Sequence, residues 1–510
     1  MYYFVRELKK SVVVQQIRLD NKHKQWHNDK KITIEMNANR ERRGQTRGKQ
    51  MKHAITVDFG STFTKIVVID LEEREILLSD RVASSVGTDA AIGLNRCFQL
   101  AEAVIGHKAF EKAVKLASSS AAGGLRMSVI GLTNSLSTLA GKSAALGAGG
   151  KIIANYSGLM TGEKVKDLEG SKTEIVLLCG GYERGNTSMV WKNTQMLAHS
   201  SVQVPIIYSG NSALGKDVRK TLTAHGKQCF TVENIIPELG ALNVEPTQDV
   251  IRNLFLERIT DMKGFRNVKR AFDNQFVPTP VAVLTAGELL NKGTDRCQGL
   301  GPLMIVDVGG ATTDVYSFNE NKSYEGAKLV GLAEPFGKRT VEGDLGMRET
   351  SSGVMKENDV DTVISALAIT EDQLREAVDN RTQNTDFLPD NELEKHIDDM
   401  IAKAAVYAAS RRHTGKVMPS YNKSCQNIQV GKNISEVSKV IGTGGILVHN
   451  PNPSEILKAV ERNSADKGFL LPEAIEPYLD TEYVLFAAGL LKEIDEDAAI
   501  EIMMKSIRRC

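Results

Sequence analysis

The clearest pattern along the chain is a pair of short apolar runs joined by a turn of small residues, and it occurs twice. One copy spans residues 55–69 and contains Asp58; the other spans residues 305–318, with Asp307 and Asp314 on either side of its turn. Apolar runs of this length around a Gly-containing turn predict β-hairpins. Because glycine lacks a Cβ, such a turn can approach an anion and point N–H groups at it. Both hairpins are therefore candidate phosphate-binding turns.

The pattern after the first hairpin predicts the rest of a small α/β unit. Residues 75–78 are expected to form a third strand, and apolar positions at three- and four-residue spacing predict helix through residues 89–117. A loop of small residues, 118–127, would then open onto a strand at 128–132. A helix through about residue 146 would complete this unit.

The middle of the chain predicts a separate domain between the two hairpins. Short apolar runs followed by helical sequence occur here at residues 174–179, 204–208 and 228–232. Strands that alternate with helices favour a doubly wound α/β domain with parallel strands. The loops at 180–186 and 209–211 follow strands at their carboxyl ends, where open α/β sheets bind ligands. These loops either serve a ligand or partner or are simply tight connections.

The last part of the chain predicts two helices rich in small residues and a third glycine-bearing turn. The helices cover residues 279–290 and 483–490, and their Ala and Gly residues would permit close packing against another helix. Residues 355–413 are largely helical. A strand at 437–441 leads into the turn at 442–445.

Composition changes this picture little. The 510 residues are 41% hydrophobic and 25% charged, which is ordinary for a soluble protein of two to four domains. No apolar run is long enough for a membrane span, and no signal segment opens the chain, so a cytoplasmic location is expected. The six cysteines are scattered without metal-binding spacing, which favours neither a zinc site nor a disulfide framework.

The net charge of +1 conceals an uneven distribution. Residues 1–50 hold thirteen Lys and Arg against five Asp and Glu, a balance of +8 that leaves −7 for the rest. An acidic body argues against nucleic-acid binding. We expect residues 1–51 to be a basic, disordered extension without a role in the chemistry; a functional arm is the alternative.

Three glycine-bearing turns after apolar strands, in this order, resemble the actin, hexokinase and heat-shock-chaperone ATPase superfamily. Residues 58–62 resemble its first phosphate loop, 307–314 its second and 442–445 its adenosine loop. The resemblance implies an α/β fold with two ribonuclease H-like, actin-like ATPase lobes around a nucleotide cleft, and an inserted α/β domain. The expected boundaries are 1–51 for the extension, 52–150 for the first lobe, 151–278 for the insert and 279–510 for the second lobe.

Three further segments look like a narrower family. Residues 121–127, 180–186 and 341–348 resemble the GlmL/MutL family of glutamate mutase accessory proteins, which is unrelated to the mismatch-repair protein of the same name. This resemblance implies a chaperone-like ATPase that reactivates an adenosylcobalamin-dependent mutase or aminomutase. The mutase subunits would be its partners, with neither nucleic acid nor membrane involved.

Phosphoryl transfer from ATP depends mainly on positioning and charge neutralisation, which suggests roles for the residues of the three turns. Mg²⁺ would be held through its water shell by Asp58 and Asp307. The phosphates would be contacted by Gly60, Ser61, Thr62, Gly309 and Gly310. The attacking water would be oriented by Thr312 and Asp314, and adenosine would lie on Gly442, Thr443, Gly444 and Gly445. Lys65 would either reach phosphate or be structural.

Two other functions fit the same fold. A small-molecule kinase would need a general base near the γ-phosphate, for which Asp314 is the clear candidate. A static nucleotide-binding scaffold would bind without turnover. The segment 136–143 ends like a Walker A loop but lacks its first glycine and a strand leading straight into it. His449 is expected to be a loop residue, with a catalytic base as the alternative. Arg126, Arg339 and Arg348 are expected to be surface or ion-pair residues, with contact to phosphate or to a partner as the alternative.

Overall fold

The computed structural model describes residues 52–60, 62–120, 125–185, 187–261, 265–272, 276–356, 370–420 and 426–510. The predicted basic extension, residues 1–51, lies outside the described residues. The part from His53 to Cys510 forms one compact unit.

The strands are β1 His53–Phe59, β2 Phe63–Asp70, β3 Glu75–Ala83, β4 Val114–Ser119, β5 Arg126–Gly131, β6 Lys151–Ser157, β7 Ile175–Gly180, β8 Ile206–Gly210, β9 Cys229–Thr231, β10 Phe276–Pro278, β11 Leu303–Val308, β12 Thr313–Phe318, β13 Lys328–Val330, β14 Gly337–Glu342, β15 Lys416–Pro419, β16 Asn427–Val430, β17 Lys439–Thr443, β18 Glu476–Asp480 and β19 Ile507–Arg509. The α-helices are α1 Ala90–Ile105, α2 His107–Lys112, α3 Leu139–Gly147, α4 Gly162–Gly170, α5 Ser188–His199, α6 Gly215–Ala224, α7 Glu245–Asp261, α8 Phe265–Ala271, α9 Thr279–Lys292, α10 Glu371–Gln383, α11 Glu392–His413, α12 Gly445–Val448, α13 Pro453–Leu457, α14 Val484–Leu491 and α15 Glu496–Ser506.

Two of the sheets have the same topology. The first has the order β3-β2-β1-β4-β10, in which β1 to β3 form an antiparallel meander and the last two strands run parallel to β1. The second repeats this order as β14-β12-β11-β17-β18, with β19 added antiparallel at the edge. Both predicted hairpins are confirmed, as is the prediction of two ribonuclease H-like lobes.

One helix prediction in the first lobe is wrong at its end. The helical pattern expected through residue 117 stops at Lys112, and Val114–Ser119 forms the buried strand β4. The predicted loop at 118–127 therefore begins inside a strand. A strand that is buried on both faces does not have to alternate apolar and polar residues. The spacing of its apolar residues alone therefore does not distinguish it from a buried helix.

The third sheet is wholly parallel, with the order β6-β5-β7-β8-β9. The three strands predicted for the insert are confirmed as β7, β8 and β9. Strand pairing also places β5 in this sheet, although the sequence assigned it to the first lobe, and places β10 in the first sheet. The sheets thus group the chain differently from the boundaries expected at 150 and 278.

Helices cover both faces of this third sheet. One face carries α3 and α7, whose apolar residues share a core with Val129, Leu177 and Ile207. The opposite face carries α4, α5 and α6, packed on a second core with Ile130 and Val176. The insert is therefore doubly wound, as predicted from the alternation of strands and helices.

The helices α9 and α14 pack together between the two lobes, in a core to which both sheets contribute. A Cβ on Gly489 would lie 1.9 Å from the carbonyl oxygen of Ala282, so the backbones approach closely because Gly489 has no side chain. The predicted contact of small residues is confirmed. A Cβ on Gly287 would instead meet the Phe318 ring, at 2.1 Å. Among the described residues, no helix is both long and apolar enough to cross a membrane.

Candidate functional site

The two hairpin turns are closed in the same way. The amide of Gly60 donates to the carbonyl of Phe63 at 3.0 Å, and the amide of Gly309 donates to that of Thr312 at 2.9 Å. These two amides, predicted to contact phosphate, are therefore engaged inside their own turns. Of the other predicted phosphate contacts, Thr62 is exposed on its turn, and Ser61 lies outside the described residues.

The turn of the second hairpin is held on one side by the segment 347–350. Its three consecutive carbonyls, those of residues 309–311, accept hydrogen bonds from Met347 N at 3.0 Å, Arg348 N at 2.7 Å and Thr350 Oγ1 at 2.8 Å. In a planar trans peptide the C=O and N–H groups point in opposite directions. The amides of residues 310–312 therefore point away from the 347–350 segment. A Cβ on Gly310 would meet no atom within 4 Å, so this turn has open space beside it.

Asp58 is fixed in position by two hydroxyl groups. Its Oδ1 accepts a hydrogen bond from Ser118 Oγ at 2.8 Å and another from Thr279 Oγ1, at the start of α9. No hydrogen bond between described residues uses its other carboxylate oxygen. A carboxylate held at one oxygen keeps the second available for a ligand or its water shell.

Asp307 occupies the equivalent position in the second lobe and lies in a crowded acidic environment. Burial, and after it the nearby charge of Asp314, raise the pKa of its carboxyl from 3.8 to about 6, while the charge of Lys65 opposes the change. The charges of Asp480 and Asp58 act in the same direction as Asp314. The structure thus brings together residues predicted from both hairpins.

Asp480 also belongs to the group of carboxylates around Asp307, and the sequence analysis missed it. It ends β18, and its two carboxylate oxygens accept hydrogen bonds from Val484 N at 2.8 Å and Leu485 N at 3.3 Å, at the start of α14. Burial raises the pKa of this carboxyl to about 6 despite those two amides. A carboxylate just before an apolar helix was the available signal, but nothing in the sequence linked it to the hairpins.

Lys65 lies opposite Asp58 in the strand register, as Asp314 lies opposite Asp307. Its Nζ is 4.3 Å from the centre of the Tyr483 ring. Its charge also acts on Asp307 and Asp480 in the other lobe. Lys65 is therefore a cation placed between the carboxylates of the two lobes.

Asp314 has a buried partner that the sequence did not assign to it. Arg339 donates from Nη2 at 2.7 Å and Nε at 3.0 Å to Oδ2 of Asp314, and both side chains are nearly inaccessible. The same guanidinium reaches the carbonyls of Leu146 at 3.1 Å and Gly150 at 3.2 Å. Thr312 Oγ1 lies 3.3 Å from Oδ1 of Asp314, the oxygen that Arg339 does not contact.

The predicted adenosine turn divides into a buried and an open part. Gly442 and Thr443 belong to β17 and are buried, so they support the sheet. Gly444 has φ +98°, and a Cβ there would lie 2.3 Å from Val308 O and 3.1 Å from Asp307 Oδ1. Gly445 is exposed at the start of α12 with open space beside it. This turn therefore lies directly against the Asp307 hairpin.

The residues set aside by the sequence analysis have structural partners. His449 Nε2 lies 3.4 Å from Arg81 Nη2 on the surface, and the residues of the Walker-like segment from 139 onward lie within α3. Arg126 pairs with Glu174 at 2.6 Å and Arg348 with Asp398 at 2.9 Å. The prediction of ion-pair roles is confirmed for these two arginines.

Two lobes of the same topology, each with a turn and a carboxylate facing the other lobe, define an actin-like ATPase fold. A family model described as MutL protein matches residues 54–507, so the chain belongs to this family. It is 38% identical over 453 residues to Protein MutL of Clostridium tetanomorphum, covering 88% of this chain and 98% of that protein.

Solved structures resemble the chain more remotely. A nucleotide-free structure of acetone carboxylase matches with a TM-score of 0.35 and 12% identity, covering 86% of this chain and 69% of that one. Gluconate kinase from Lactobacillus acidophilus matches with a TM-score of 0.33 and 8% identity, covering 90% and 92%.

Proposed function

We propose that this chain is a nucleotide-binding accessory protein that holds ATP or ADP between its two lobes. The observation that carries the proposal is the turn at 309–312, whose carbonyls are tied back and whose amides at 310–312 point the other way. Consecutive amides of this kind form an anion-binding concavity. Asp58 and Asp307 flank it from the two lobes.

The acidic cluster formed by Asp58, Asp307, Asp314 and Asp480 is suited to a divalent cation. Burial and neighbouring carboxylates raise the pKa of Asp307, which means that the cluster carries more negative charge than its surroundings stabilise. In the described part of the chain, no group of three acidic or His/Cys side chains could ligate one ion directly. Asp58 and Asp307 would therefore hold Mg²⁺ mainly through water. The ion would neutralise the charge of the phosphates.

The remaining residues would position the reacting groups for ATP hydrolysis. Lys65 would contact a phosphate oxygen. Thr312 and Oδ1 of Asp314, the oxygen that Arg339 does not contact, would orient the attacking water. The Gly444–Gly445 part of the third turn would lie against adenosine. Arg339 would hold Asp314 in place as a positioning residue.

The client would be an adenosylcobalamin-dependent mutase of the glutamate mutase or aminomutase type, as the family resemblance implies. ATP hydrolysis would change the angle between the lobes about α9 and α14, and this motion would change the surface offered to the mutase. Such a cycle would reactivate a mutase that retains a damaged cofactor.

A reactivation assay tests this proposal. Glutamate mutase inactivated by turnover is incubated with adenosylcobalamin, the full chain and ATP, and recovered activity is measured. We expect recovery with ATP but not with a non-hydrolysable analogue, and its loss in Asp58→Asn. The exposed Asp295→Asn variant is the matched control and should act as the wild type does. Equal recovery without nucleotide, or full activity of Asp58→Asn, would refute the proposal.

A further inference from the structure

The segment 347–350 connects the turn of the second hairpin with helices α10 and α11. The amide of Arg348 donates to the carbonyl of Gly310 at 2.7 Å. The guanidinium of the same residue donates to both carboxylate oxygens of Asp398 in α11, at 3.2 and 2.9 Å, and from Nε to the carbonyl of Phe387 at 3.1 Å. Arg348 therefore holds the turn with its backbone and the region of α10 and α11 with its side chain.

Phe387 lies in the α10–α11 loop, which comprises residues 384–391. Leu388 in this loop is 79% exposed, so the loop is accessible from solvent. Beside it, the Arg381 guanidinium lies 5.0 Å from the centre of the Phe387 ring, and Arg348 holds the carbonyl of Phe387. The loop is therefore a surface feature that is attached to the interior at a defined point.

The carboxylate that Arg348 contacts is itself fixed. Asp398 is buried, and its Oδ1 also accepts a hydrogen bond from Arg381 Nε at 2.7 Å. Arg381 has no exposed surface and donates further to the carbonyls of Ala377 in α10 and Glu394 in α11, each at 2.9 Å. Arg348 is thus joined to a rigid pair of helices.

The peptide groups of the turn provide a physical link between a bound phosphate and this helix pair. The carbonyls of residues 309–311, which accept from 347–350, belong to the same peptide groups as the amides of residues 310–312. Hydrogen bonds at both ends of a peptide group polarise it and strengthen each other. A phosphate on the amide side would therefore strengthen the hydrogen bonds that the segment 347–350 donates on the carbonyl side.

We propose that nucleotide binding at the turn 309–312 is coupled through Arg348 to the exposed α10–α11 loop. The inference rests on the proposed function, because the phosphates of the nucleotide are what occupies the turn. Arg348 is a positioning residue here, since it acts on the nucleotide through the turn. Coupling between two sites is reciprocal, so a partner that holds this loop would raise the affinity for nucleotide by the same factor.

Hydrogen exchange followed by mass spectrometry on the full chain tests the coupling. The probe is a non-hydrolysable ATP analogue with Mg²⁺, which prevents turnover during the measurement. We expect the analogue to slow exchange in the α10–α11 loop by about fivefold or more in the wild type. Arg348→Met should abolish this change, and so should Arg348→Lys, because one ammonium cannot replace the guanidinium at both Asp398 and Phe387 O. Arg375→Met, which breaks an exposed pair on α10, is the matched control and should respond as the wild type does.

Arg348→Met is expected to fold, because Asp398 keeps Arg381 as its counter-charge. A purely structural role of Arg348 would lower the melting temperature and leave the response of the loop to the analogue intact. Bound analogue without slower exchange in the wild-type loop, or equal slowing in Arg348→Met, would overturn the coupling. Calorimetry with the same analogue distinguishes this failure from that of the proposed function, which is refuted, together with the coupling, if the wild type binds no nucleotide.

Discussion

Asp307→Asn should make the nucleotide-free protein more stable at pH 7.5, although the same change is expected to weaken nucleotide binding. Burial beside other carboxylates raises the pKa of Asp307 from 3.8 to about 6, so its charged form is disfavoured in the folded state. Two pKa units correspond to about 3 kcal/mol. Because the side chain is partly exposed, we expect a gain of about 1–3 kcal/mol in the free energy of unfolding.

The pH dependence gives this prediction its control. Because the folded-state pKa lies above the unfolded value, the wild type loses stability as pH rises from about 4 to about 6. The advantage of Asp307→Asn should be complete above pH 6 and should disappear below about pH 4. Urea unfolding across this range measures it, with Asp295→Asn as an exposed control. A variant less stable than the wild type at pH 7.5, or a constant difference, would contradict the account.

Arg339→Met should destabilise the protein by about 3–5 kcal/mol. The substitution leaves Asp314 buried without a counter-charge and removes the donor to the carbonyls of Leu146 and Gly150. Arg339→Lys should not restore stability, because one ammonium cannot replace the planar guanidinium at all three acceptors. Urea unfolding measures the loss.

Two further variants separate the buried ion pair from a general effect of losing an arginine. Arg375→Met breaks an exposed pair with Glu371 on α10 and should cost less than about 1 kcal/mol. Adding Asp314→Asn to Arg339→Met should recover part of the stability, because the unpaired buried charge is then removed. A cost for Arg339→Met equal to that for Arg375→Met, or no recovery in the double variant, would show that the pair is unimportant.

The hairpins and the insert strands were predictable because their signals are local. Two short apolar runs on either side of a turn that contains glycine identify β1–β2 and β11–β12. Strand β4 was mistaken for helix because no Gly or Pro separates Lys112 from Val114, and Ala, Lys and Leu favour helices. Strand β10, Phe276–Pro278, was not predicted, because no apolar run of strand length marks it in the sequence. Its place beside β4 depends on the fold of the whole lobe.

Among the site residues, too, only those with a local sequence signal were predictable. Asp58, Asp307 and Lys65 were found because each lies in or beside a recognisable turn. Asp480 was missed because its relation to the cluster exists only after β18 pairs with β17. The ion pair of Asp314 with Arg339 joins neighbouring strands separated by 25 residues in sequence. Sequence pattern predicts which face such residues occupy but not which partner they meet.

Nucleotide binding itself tests the central claim most directly. Calorimetric titration of the full chain with ATP and with ADP, in the presence of Mg²⁺, should show one nucleotide per chain. The affinity should fall at least tenfold in Asp307→Asn and remain unchanged in Asp295→Asn. Absence of binding by the wild type, or equal binding by wild type and Asp307→Asn, would contradict a nucleotide site between the two lobes.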